Sequence, residues 1–244
     1  MRALGDGLAR VAAAPVVLAG TIALVSFYGA ADDARHGIGA VLLWAFLTGG
    51  ILDRYARARP TRARGFFGAC GAHFGAMLRL ALSILLMVGL VHLAMGREFP
   101  NDYVHMAAFG LSLLVVLVLT LAQVRIAVED RRSAIGALLA GGRFVVRNPG
   151  VLVLYALFVG AAMGVMLGFE RIEHTPDVSA SMVALAAEVT SALECFLALA
   201  WLATAVSLFQ SRLAHAGYTA GPPLTWPESP AAEAIGNASP LSRP

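Results

Sequence analysis

The chain has 244 residues, 59% of them hydrophobic and 14% charged, with a mean hydropathy of +0.75. Soluble domains carry about a quarter charged residues, so a water-soluble globular core is excluded as the main organisation. The pI near 9.2 would suit nucleic acid, but the arginines cluster beside apolar runs, where they orient helices in a membrane instead. All eighteen basic residues are arginine; with abundant Ala, Gly, Val and Leu, this points to a GC-rich bacterial source.

Residues 3–14 place Leu4, Leu8 and Val11 on one helical face and Asp6 and Arg10 on another, which predicts an amphipathic helix ending before Pro15. An apolar run over 16–31 follows as a first span. Gly29-Ala30-Ala31 would also suit a signal-peptidase site. The recurrence of the same pattern later in the chain favours a retained helix. A second run, 38–52, is fifteen residues, short of the about 20 needed to cross a hydrocarbon core. It either thins the bilayer and snorkels through Arg54 or forms a re-entrant hairpin. Its Gly49-Gly50 pair loosens the helix end or admits a neighbour closely.

The stretch from Asp53 through Arg64 holds five arginines and Pro60. Phe67, Cys70, Phe74, Met77 and Leu78 then recur at three- and four-residue steps, predicting an interfacial helix over 64–78 before a third span over 80–95. The run 104–124 is the clearest span, with no charge beyond His105. After the charged knot at Glu129–Arg132, residues 133–147 form an interfacial helix. Ile135, Leu138, Leu139, Gly142, Val145 and Val146 share its apolar face; Ser133, Gly136, Ala140, Arg143 and Arg147 share the opposite one. Asn148-Pro149 opens the fifth span, 151–169. Thr175-Pro176 has the form of an N-cap with proline at the first helical position. From there an unbroken helix is predicted to carry the sixth span, 189–209, and residues 217–244, with six of the eleven prolines, read as a disordered tail.

The inner segments hold fourteen arginines before the tail, while the three outer loops hold three, with seven acidic residues. By the positive-inside rule both termini are cytoplasmic. The fold class is therefore all-α: a polytopic membrane helix bundle of six transmembrane helices, arranged as three hairpins with interfacial amphipathic helices. Gly7 with Pro15 and Gly141 with Pro149 keep the same spacing, and the even spans end alike in Leu52-Asp53-Arg54, Glu129-Asp130-Arg131 and Gln210-Ser211-Arg212. These features read as three copies of an interfacial helix plus a two-span hairpin. The middle copy lacks the proline.

The elbow VEDRRSAIGALLAGGRFVVRNPGVL resembles those of a broad group of bacterial multi-span proteins, similar to the membrane domain fused to some glycerophosphodiester phosphodiesterases. The likeness covers chiefly residues 124–158 and implies fold and location only. No soluble phosphodiesterase domain is present to carry catalytic residues over.

Few residues carry chemistry. Glu194, with Glu188 outward of it, is the candidate intramembrane carboxylate, since an ionisable group in a span faces the bundle interior or water. It is either a proton or substrate site or a buried acid bonded to a neighbouring helix. Ala156, Gly160, Gly164 and Gly168 form a ridge for close helix packing, within the chain or with a second copy. Arg54, Arg131, Arg132, Arg143 and Arg147 suit lipid phosphate at the interface. His92 and His105 flank one loop and are the only metal candidates, at a spacing that matches no known site. Cys70 and Cys195 read as apolar fillers, and no phosphate loop, nucleophile elbow or zinc motif is present. No cofactor is implied. The expectation is a non-enzymatic inner-membrane protein, accessory or structural, whose partners are lipid and another membrane protein or a second copy, not nucleic acid. A small-solute or lipid transporter using Glu194 is the alternative, and an intramembrane lipid-modifying enzyme comes third.

Overall fold

A computed structural model describes residues 2–15, 17, 20–21, 34–57, 63–98, 102–129, 133–176 and 178–219. Most of the apolar run 16–31, the knot at 130–132 and the region 220–244 lie outside the described residues. The described residues are all-helical, without a strand. Their seven helices are α1 (Arg2–Ala12), α2 (Ala34–Arg57), α3 (Ala63–Glu98), α4 (Asp102–Glu129), α5 (Ala134–Arg147), α6 (Gly150–Glu173) and α7 (Ala180–Thr219). The chain divides into two compact units, 1–209 and 210–244. The first contains α1 to α6 and α7 as far as Phe209.

Among the described residues four helices are long and apolar enough to cross a membrane: the segments Ala63–Val91, His105–Glu129, Gly150–Glu173 and Ala180–Arg212. They divide into two kinds. Half of the apolar window of α4 and 61% of that of α7 is buried, against 11% in α3 and 6% in α6. The centre of the first unit is therefore α4 and α7, where residues 119–124 and 199–207 are buried all round. The C-terminal half of α2, from Leu47 to Leu52, joins them. On α3 and α6, Leu82, Leu85, Leu86, Leu90, Leu157 and Leu167 are exposed. Exposed apolar side chains in this number are incompatible with water and suit hydrocarbon.

Local chemistry sets the helix ends. Ser133 takes an extended conformation and its Oγ accepts from the Gly136 N–H at 3.2 Å, starting α5. At the other end Asn148 donates through its backbone N–H and through Nδ2 to the Phe144 carbonyl. Pro149, with φ of −61°, then starts α6 where its missing N–H costs nothing. Two residues thus make the whole elbow between α5 and α6.

Three expectations are revised. Thr175-Pro176 does not open the last helix. The Thr175 hydroxyl donates back to the Arg171 carbonyl at 2.7 Å and closes α6, while Ser179 receives the Met182 N–H and α7 begins at Ala180. The interfacial segment 64–78 and the span 80–95 are one continuous helix, Ala63–Glu98, because no proline or competing cap interrupts the backbone between them. The last helix also runs to Thr219, past the expected start of a tail at residue 217.

Candidate functional site

The amphipathic segments meet the bundle in three places, each through a small residue. In α5 a Cβ at Gly141 would lie 2.7 Å from the Val118 carbonyl oxygen and 3.3 Å from the Ala122 nitrogen of α4. Only glycine permits that approach, and the contact is backbone to backbone. At the start of α3 the glycines sit on the other partner: Gly49 and Gly50 of α2 face His73, Cys70 and Phe66. Phe46 completes this junction against Phe74, with ring centroids 5.8 Å apart. In α1 a Cβ at Gly7 would lie 2.8 Å from the Thr204 Cα of α7 and closer still to its hydroxyl. The helix is fastened nearby by Arg10, whose guanidinium donates to the Tyr55 carbonyl in the last turn of α2. Burial pushes the Arg10 pKa below its usual value, with Asp6 opposing the shift.

The face that α5 turns to the protein is narrow and is not formed by its largest apolar residues. Ala137, Gly141 and Val145 are buried, whereas Ile135, Leu139 and Val146 are 73%, 61% and 83% exposed. Arg143 and Arg147 are exposed as well. The helix therefore has three stripes, which are small residues against α4, large apolar residues outward, and arginines beside them. A helix lying in a bilayer interface needs this arrangement, because small residues allow helix contact while large ones enter the acyl region.

Polar groups in the core mostly satisfy themselves. Thr48, Ser112, Thr120 and Ser207 donate to the carbonyls of Trp44, Ala108, Val116 and Ala203, four residues back in each case, at 2.7–3.1 Å. Three buried side-chain atoms among the described residues have no partner: Tyr55 Oη, Trp201 Nε1 and Thr204 Oγ1. Trp201 packs its ring on Tyr155 and Phe158 of α6, at centroid distances of 5.0 and 5.7 Å, which leaves the indole N–H without an acceptor.

The expected site residues are dispersed. Glu194 is half-buried on α7 and meets no hydrogen-bond or ion-pair partner among the described residues; Glu188 is exposed. Ala156, Gly160, Gly164 and Gly168 are all exposed, and a Cβ at any of the three glycines would meet open space. The ridge faces away from the rest of the unit. Arg54 is half-buried, while Arg131 and Arg132 lie outside the described residues. His105 is exposed and the His92 side chain lies outside the description. Among the described residues no three His, Cys, Asp or Glu side chains come together. Sequence reasoning noticed Gly7 and Gly141 by their spacing, but it did not single out Thr204, Trp201 or Tyr55. A hydroxyl and an indole within an otherwise apolar stretch were the available signal.

The chain matches no protein-family model, no curated protein and no solved structure.

Proposed function

We propose that this is a six-span protein of a bacterial inner membrane, with both termini cytoplasmic and a non-enzymatic accessory or structural role. Its peripheral helices contact lipid or a partner's helices, and its surface helices hold anionic head groups. The observation that supports this reading best is the three-striped α5, with Ile135, Leu139 and Val146 turned outward beside Arg143 and Arg147. The elbow's likeness to phosphodiesterase membrane domains is a proposal of the same kind, about fold and location alone. Each arginine near an anionic surface contributes about 1 kcal/mol. Arg143→Ala with Arg147→Ala is thus expected to reduce retention of phosphatidylglycerol, relative to phosphatidylcholine, by about tenfold or more in native mass spectrometry. Unchanged retention would sink the lipid-holding role.

A second reading, transport of a small solute or lipid, draws on Glu194, an unpartnered half-buried carboxylate midway along an apolar helix. Proteoliposomes carrying Glu194→Gln would decide it. A proton or solute flux present in the unaltered protein and lost in the variant supports transport, and no flux in either excludes it.

A further inference from the structure

We propose that α1 is a strap, docked over a buried polar spot on α7 and able to lift from it as a unit. Three observations carry the inference. The first is how little holds the helix. Among the described side chains of α1 only Gly7 and Val11 are buried, and of these Val11 joins the apolar core. By contrast α5 packs Ala134, Ala137, Leu138, Phe144 and Val145 there.

The second observation is what lies beneath. Gly7 rests on the Thr204 hydroxyl, which is fully buried and lacks a hydrogen-bond partner. Threonines inside helices usually return such a hydroxyl to their own backbone, as Thr48 and Thr120 do here. Thr204 does not, so the closed state keeps a polar group from water without compensation. The residue that Arg10 grips, Tyr55, carries another buried, unpartnered hydroxyl, and Trp201, one turn along α7 from Thr204, carries an unpartnered N–H. Docking α1 over Thr204 thus costs free energy that lifting it returns.

The third observation is the connection. Arg10 donates to a backbone carbonyl at the end of α2, a polar clasp that water can replace. A helix seated through a valine, a glycine and an arginine clasp, above an unsatisfied hydroxyl, has the makings of an opening element. Lifting it gives water or a polar ligand access to Thr204 and changes little else in the bundle.

The test uses the full chain in lipid nanodiscs, with Cys70→Ala and Cys195→Ala removing the native thiols and Thr204→Cys as the probe. A membrane-impermeant maleimide reaches both faces of the disc. With α1 docked, Thr204→Cys is expected to label slowly. Adding Gly7→Leu, which cannot seat on residue 204, should raise the rate about tenfold or more, and Arg10→Ala should do so independently. Ser112→Cys on α4, also buried, should stay protected in both backgrounds. If Gly7→Leu does not fold, the Arg10→Ala comparison decides alone. Labelling of Thr204→Cys that neither change alters would overturn the proposal. So would an equal rise at Ser112→Cys, which would mean that the whole bundle had loosened.

Discussion

Helices α1 and α5 are built to one pattern, each amphipathic, each bringing a glycine to a longer helix, each with a proline eight residues beyond that glycine. Both glycines close on partner backbone, and they differ in the polar group beside that contact. Gly141 closes on the backbone of α4 between Val118 and Ala122, where no buried side chain among the described residues is left unpaired, and α5 is capped at both ends by Ser133 and Asn148. Gly7 closes on the backbone of Thr204 and also on its unpartnered hydroxyl, and among the described side chains of α1 it is Val11 that reaches the core. The same local design therefore yields a fixed joint in one place and a weak one in another. The contrast lies in the partner helix, not in the amphipathic segment.

Substitutions can break this contrast or sharpen it. The largest effect is expected for Gly141→Leu, since a backbone carbonyl 2.7 Å from the new Cβ cannot move aside; overpacking here should cost about 3 kcal/mol, read from unfolding in mixed micelles. Ser133→Ala removes the cap that starts α5 and should cost about 1 kcal/mol in the same assay. Thr204→Val runs the other way. Exchanging a stranded hydroxyl for a methyl should stabilise the protein by about 1 kcal/mol, whereas a loss of that size would show that the hydroxyl has a partner. Gly7→Leu should change global stability by no more than about 0.5 kcal/mol, because α1 lifts instead of straining the bundle. Least of all, Gly164→Leu should leave the stability of the single chain unchanged, as its Cβ meets open space. Analytical ultracentrifugation then shows whether association between copies depends on that ridge.

Much of the long-helix pattern was legible in the sequence. The runs 104–124 and 151–169 fall within α4 and α6, since uninterrupted apolar stretches of about 20 residues have few other uses. The close approach at Gly49-Gly50 was legible for a related reason, as paired glycines leave a groove. The buried face of α5 was not. In a soluble protein large apolar residues mark the core, but beside lipid they lose that meaning, so Ile135 and Leu139 point outward while Ala137 and Gly141 make the contact. The continuity of α3 was obscured because its first turns are amphipathic and its later turns uniformly apolar, a change of pattern without a change of backbone. Nor could a linear pattern show that Thr204 lies under Gly7, 197 residues away, the difference between 204 and 7. The candidate residues Glu194, the ridge and the arginines were found by type, and their dispersal became visible only from the packing.

The contrast between the two glycine joints is tested most directly by hydrogen exchange of the full chain in lipid nanodiscs, comparing backbone amides of α1 with those of α5. The amides of α1 should exchange at least about tenfold faster than those of α5, with α4 and α7 protected throughout. Equal protection of α1 and α5 would contradict the strap, for it would make both helices fixed parts of the bundle.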